Sequence, residues 1–113
     1  MQNPGTYFDA AQSRRPLIHN ITNFVAMNTM ANVLLAIGAS PARVHARGEV
    51  AEFAGLCDAL TVNIGTADPE WYAAMEEAAG VMNERARPWV LDPVGVGATR
   101  LRRDGCARLM GLG

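Results

Sequence analysis

The sequence predicts an α/β fold, a mainly parallel sheet flanked by helices, and three observations carry that expectation. Short apolar runs such as Ala59-Leu60-Thr61-Val62-Asn63-Ile64 and Trp89-Val90-Leu91 alternate with segments of helical period ten or more residues long. Asp68-Pro69-Glu70 is a strong helix start: an acid able to cap, a proline for the first turn, and a second acid facing the positive helix end. Strands separated by helices of that length pair in parallel through crossovers, so helices cover the sheet. The 113 residues, half of them apolar and 19% charged, suffice for one globular domain with a real core.

Taken in order, residues 6–14 form a short amphipathic helix that ends at Arg15-Pro16, and Leu17-Ile18-His19 forms a strand. Thr22 or Asn23 caps a helix running to about Gly38, the left-handed stop. Met27, Met30, Leu34 and Ile37 lie on one face of that helix at three- to four-residue steps, and Ala31 and Leu35 widen it. The Met27 and Met30 pair reads as core. Residues 40–46 read as a short strand and Glu49 to Leu56 as a helix, and Cys57 reads as a buried residue in an apolar helix. A strand over 59–64 leads to the helix that starts at Asp68 and runs to about Arg85. Trp89-Val90-Leu91 is a buried strand stopping at Asp92-Pro93, and a last helix covers Asp104 to Met110.

Three strand ends are unusually polar: His19-Asn20 with Thr22-Asn23, Asn63 with Gly65-Thr66, and Asp92 with Gly95 and Gly97. Parallel strands bring such ends to one edge, where ligands sit in open α/β sheets. Asp92 follows an apolar strand and precedes Pro93, which favours extended backbone there. Its carboxylate either holds Mg²⁺, directly or through water, or serves as a turn acid. Gly95 and Gly97 either let backbone N–H groups approach a phosphate or simply turn the chain. Arg100 stands where the third glycine of a dinucleotide fingerprint belongs, and no P-loop lysine occurs. Asn23 and Asn63 carry amides that both donate and accept, and they also serve well as caps. His19 reads as a structural histidine beside an apolar strand, and Cys106 as a helix residue without a nearby base. Arg100, Arg102 and Arg103 read as solvated surface, with an alternative role in touching a nucleotide.

Together, "PLIHNITNFVAMNTMANVLLAIGASP", "VNIGT" and "LDPVGVGATRLRR" closely resemble the hydroxyethylthiazole kinase family of thiamine salvage, in order and spacing from about Pro16 onward. The resemblance implies a ribokinase-like sandwich and ATP- and Mg²⁺-dependent phosphorylation of the alcohol of 4-methyl-5-(2-hydroxyethyl)thiazole. It also implies a homotrimer with substrate sites near subunit interfaces. By the resemblance, Asn23 belongs to the thiazole pocket, Gly65 and Thr66 to the "NIGT" turn on the substrate side, and Asp92 to the Mg²⁺ and phosphate side. Gly95 and Gly97 fall in the phosphate loop. Two departures stand out. Arg43 replaces the methionine that usually packs on the thiazole, a poor substitute for a soft apolar contact, and only Glu49 remains of two consecutive acids. The resemblance spans roughly the first two-fifths of a family member, short of its "RGN" nucleotide segment and "GAGC" turn. Residues 1–113 therefore read as a single, incomplete N-terminal kinase region, and the isolated chain as inactive.

Two other readings follow from these departures. Arg43 suits another ribokinase-like kinase with an anionic substrate, and the missing later motifs suit a catalytically silent α/β binding module. A net charge of −1 argues against nucleic acid or an anionic membrane as partner. The start MQNPGTYFDA lacks a signal-peptide pattern, and Cys57 and Cys106 lack metal-ligand spacing, so a cytoplasmic protein with reduced thiols is expected.

Overall fold

In the computed structural model, which describes residues 3–23, 27–65 and 68–113, helices and strands alternate along the chain. They are α1 (Pro4–Arg14), β1 (Leu17–Ile21), α2 (Met27–Ala36), β2 (Ser40–Ala42), α3 (Val50–Ala54), β3 (Ala59–Asn63), α4 (Pro69–Glu84), β4 (Trp89–Asp92) and α5 (Arg100–Leu112). The strands form one parallel sheet in the order β2-β1-β3-β4, the α/β architecture expected from the sequence.

Local chemistry sets the helix ends. Asn3 accepts from the Gly5 N–H at 2.7 Å and Pro4 opens α1. Asp68 accepts from the Trp71 N–H at 2.9 Å, with Pro69 in the first turn of α4. Gly38 has φ +96°, and a Cβ there would stand 2.9 Å from the Gln12 Cα. Both the left-handed turn after α2 and the approach of α1 therefore require glycine.

The sheet has a heavily packed face and a thin one. Leu60 and Val62 of β3, Ile21 of β1 and Ile64 share one cluster with Val50, Ala54, Tyr72, Met75, Ala78, Met82, Cys106 and Leu109 from the helical side. Burying each leucine- or isoleucine-sized side chain there stabilises by roughly 1.5–3 kcal/mol relative to exposure. Gly105 lets α5 lie directly on α4, since a Cβ at 105 would meet the Tyr72 ring at 2.3 Å. On the other face a smaller cluster joins Ile18, Leu34 and Ala39, with Met30, Ile37 and Ala59 against it.

Several boundaries differ from the sequence expectation. Leu35 does not widen the apolar face of α2; it is 60% exposed, because Leu34 and Ile37 already fill the thin layer. β2 has three residues instead of seven, and residues 43–46 leave the sheet. α3 is a single short helix of five residues, and Cys57 lies just past it, fully buried, its thiol donating to the Phe53 carbonyl at 3.4 Å. Burial and the neighbouring Asp58 charge push that thiol up to about 11, so it stays protonated. β4 is not buried: Val90 is 63% exposed, because β4 is an edge strand with little packed on one face. α5 begins at Arg100, four residues before the expected start, because the Thr99 hydroxyl caps it by accepting from the Arg102 N–H at 3.2 Å. The expected helix cap at Thr22 or Asn23 precedes residues 24–26, so the start of that helix lies outside the described residues.

Candidate active site

Strand register determines which polar residues meet. Ile21 pairs with Val62, and Asn63 pairs with Asp92, so the carboxyl ends of β1, β3 and β4 finish together. Beyond these ends a line of side chains crosses the sheet. The Asn23 Nδ2 donates to the Asn63 Oδ1 at 2.7 Å, and the Asn63 Nδ2 donates to the Asp92 Oδ2 at 3.1 Å. The orientation of the Asn63 amide is fixed twice over. Its oxygen also accepts from the Gly65 backbone N–H at 2.8 Å, a pure donor, while its nitrogen faces a carboxylate oxygen.

Gly65 belongs to this arrangement for a steric reason. A Cβ at 65 would lie 2.6 Å from the Asn23 Nδ2 and 2.9 Å from both its Cβ and Cγ. Thr66 lies outside the described residues. Asp92 is exposed, and among the described residues it enters no ion pair. The loop after it turns at Gly95, with φ +67°, where glycine is needed for the backbone. At Gly97 a Cβ would meet nothing within 4 Å, so no neighbour in this chain demands glycine there.

A cleft of ≈ 340 Å³ opens beside these ends, lined by Met30, Thr61, Asn63, Val90, Asp92 and Pro93 among others. Thr61 and Asn63 alternate with Leu60 and Val62 along β3, which places the cleft on the thin face of the sheet. A wider hollow of ≈ 520 Å³ lies at the opposite end of β4, by Pro88, Trp89 and Met110, away from the polar strand ends. Arg43 follows β2, exposed and without a bonded partner among the described residues. Two strands intervene between β2 and β4, a separation of about 14 Å at the usual interstrand spacing. Arg43 and Asp92 thus flank the edge from opposite sides.

His19 is structural, as its sequence setting suggests. Its Nε2 donates to the Val44 carbonyl at 2.5 Å, and its ring meets Phe53 edge-to-face at 5.2 Å. Burial lowers its pKa, against a smaller upward pull from the Val44 carbonyl, so the imidazole is neutral. Cys106 is buried within α5, among core residues.

The feature that sequence reasoning missed is Arg102. Its guanidinium donates to the Ile64 carbonyl at 2.7 Å, the Gly65 carbonyl at 3.0 Å and the Val94 carbonyl at 3.0 Å. Arg100 and Arg103 are exposed, as the surface reading of this cluster expects, and only Arg102 turns inward. Thr99 at the cap position, with Arg102 in the first turn, was the available signal.

Among the described residues no group of three or more His, Cys, Asp or Glu side chains could cage a metal. Mg²⁺ needs no such cage, since one carboxylate together with substrate phosphates and waters commonly holds it, and an exposed Asp92 fits that mode. Among the described residues no helix is long and apolar enough to cross a membrane.

Comparison with known proteins identifies relatives of this chain. The model of the hydroxyethylthiazole kinase family matches residues 8–112. A hydroxyethylthiazole kinase from Cereibacter sphaeroides (strain KD131) is 55% identical over 112 residues, covering 99% of this chain and 43% of the relative. One from Pyrococcus abyssi is 57% identical over 91 residues, covering 80% of this chain and 34% of the relative. The solved structure of a hydroxyethylthiazole kinase from Pyrococcus horikoshii OT3 superposes with a TM-score of 0.92 at 48% identity, over 96% of this chain and 42% of that one. The chain spans less than half the length of these relatives, corresponding to their N-terminal portion. On the family match and these identities, the chain belongs to the hydroxyethylthiazole kinase family.

Proposed function

We propose that these residues form the acceptor and metal side of a site that transfers the γ-phosphoryl group of ATP to the hydroxyl of 4-methyl-5-(2-hydroxyethyl)thiazole. The observation that carries this reading is the line Asn23–Asn63–Asp92 across three parallel strand ends, in a chain of this family. In the transfer, the bond from the γ-phosphorus to the ADP oxygen breaks. A bond to the alcohol oxygen forms, and the hydroxyl proton is released. The reaction needs the alcohol held in line and the phosphate charge neutralised. Asn23, Gly65 and Thr66 bound the acceptor, Asp92 holds Mg²⁺, and the N–H groups of Gly95 and Gly97 face a phosphate. The metal supplies neutralisation of charge on the transferred group. Arg43 lies on the acceptor flank, where its charge disfavours a neutral ring.

Residues 1–113 act as the N-terminal part of one kinase domain, working as a homotrimer, with the main grip on ATP supplied by the remainder that the longer relatives possess. Their greater length supports this division of labour. The test joins these residues to the C-terminal remainder of the C. sphaeroides relative and follows phosphorylated thiazole by mass spectrometry. The joined protein is expected to turn over with Mg²⁺, and Asp92→Asn to lower the rate at least a hundredfold while the protein stays folded. The 113-residue chain by itself is expected to give no sustained product. A joined protein indifferent to Asp92→Asn would refute the assignment of the metal side.

A further inference from the structure

We infer that Arg102 is a positioning residue that fixes the β3 and β4 exit loops at one separation and turns the Gly95 N–H outward; the inference rests on the phosphate reading of the 95–97 loop. Three observations carry it. First, the side chain starts from a fixed point. Arg102 stands in the first turn of α5, and its own N–H is held by the Thr99 hydroxyl at 3.2 Å. Second, its fork reaches two separate loops. Nη1 donates to Ile64 at 2.7 Å and to Val94 at 3.0 Å, while Nη2 donates to Gly65 at 3.0 Å. The two hydrogens of Nη1 are therefore divided between the loop after β3 and the loop after β4. A planar fork with fixed angles makes that division a fixed distance, which a single ammonium on a flexible stem does not reproduce.

Third, the grip on Val94 has a consequence on the other side of the peptide. In a trans peptide the C=O and the following N–H point in opposite directions. With the Val94 carbonyl held on the guanidinium, the Gly95 N–H points away from it. Among the described residues that N–H has no acceptor, whereas the neighbouring N–H groups of Val94 and Val96 bond back to Asp92 and Pro93. The Arg102 stem also lies beneath the turn, since a Cβ at Gly95 would sit 3.4 Å from its Cδ. On the β3 side, the same fork holds the carbonyl of Ile64, whose peptide partner, the Gly65 N–H, bonds the Asn63 amide. One side chain thus ties the orientation of Asn63, beside Asp92, to that of the Gly95 donor.

The experiment compares the joined protein described above with its Arg102→Lys and Arg102→Met variants by two-dimensional ¹H–¹⁵N NMR, followed by titration with Mg²⁺ and ADP. Both variants are expected to shift the amides of 64–65 and 94–97 together and to leave those of β1 and of α4 beyond its first turns in place. Arg102→Lys keeps the stem and the charge, so it provides a folded comparison should Arg102→Met unfold. In the wild type Mg²⁺ with ADP is expected to shift the Gly95 and Gly97 amides with millimolar affinity, and both variants should weaken that binding at least fivefold. If Arg102→Lys preserves the wild-type loop signals, the fork has no special role and the inference fails. Perturbed loops with unchanged affinity would likewise overturn positioning and leave a clamp alone. Absence of binding by the joined protein carrying Arg102 is a different result: it refutes the phosphate reading on which the inference rests.

Discussion

Replacing Gly65 by alanine tests the close approach of Asn23 to the β3 exit, and the structure gives the sizes of the opposing effects. The added Cβ would meet the Asn23 Nδ2 at 2.6 Å and its Cβ and Cγ at 2.9 Å. Ordinary contact between such atoms needs about 3.5 Å, so the Asn23 side chain must retreat by ~1 Å. It cannot do so and keep its 2.7 Å hydrogen bond to Asn63. Losing that bond costs about 0.5–1.5 kcal/mol. In the other direction, Gly65 does not have a left-handed φ, so alanine restricts the unfolded chain without straining this backbone. That gain is about 0.4–1 kcal/mol. The Asn23 Cβ cannot swing aside as its amide can, so the backbone must shift as well. That overpacking outweighs the gain, and urea unfolding of Gly65→Ala should give a stability about 1–3 kcal/mol below the wild type. At the same time the side-chain NH₂ signals of Asn23 and Asn63 should both move in ¹H–¹⁵N spectra. Unmoved amide signals would show that Asn23 does not occupy the space above Gly65, and the steric account of the turn would be wrong.

Gly105→Ala should behave in the same way: the helix gains about 1 kcal/mol in propensity, but the 2.3 Å approach to the buried Tyr72 ring forces α4 and α5 apart. Overpacking of this kind costs about 1–3 kcal/mol and should win, so a lowered urea midpoint is expected and a raised one would contradict the packing. His19 is neutral when folded because burial lowers its pKa, so the unfolded chain binds the extra proton first as pH falls. Stability should thus be fully present above pH ~6.5 and decline below it, and His19→Gln should remove that part of the acid loss; an unchanged pH profile for the variant would count against a buried neutral imidazole.

Most of the fold was legible because it depends on local rules that the sequence states directly. Asp68-Pro69 opened α4, Gly38 closed the turn after α2, and the spacing of apolar runs implied a parallel sheet. The polar strand ends were legible for the same reason, since parallel pairing leaves no other place for Asn63 and Asp92 to meet. What escaped depended on partners far away in sequence. Val90 is as apolar as a buried strand residue, yet its exposure follows from β4 standing at the sheet edge, which no local pattern encodes. Leu35 carries helical spacing, but a thin layer has room for only part of the stripe. Arg102 lies 38 positions from Ile64, so neither its charge nor its neighbours announced the carbonyls it would reach.

The distribution of charge around the strand ends ties the local structure to the proposed chemistry. A carboxylate beside an arginine usually forms an ion pair, and an ion pair would compete with an incoming cation. Here the nearby arginine is committed elsewhere: the Arg102 guanidinium satisfies three backbone carbonyls. The partner that Asp92 does have is the neutral amide of Asn63, which orients one carboxylate oxygen without cancelling the charge. Orientation and neutralisation are thereby assigned to different groups. On the proposed reading, Asp92 keeps its full negative charge for Mg²⁺, and the Gly95 side of the loop keeps its donors for a phosphate. Exchanging the neutral bridge for a cation should undo this separation, because a charged Asn63→Lys side chain would take the place of the metal at Asp92.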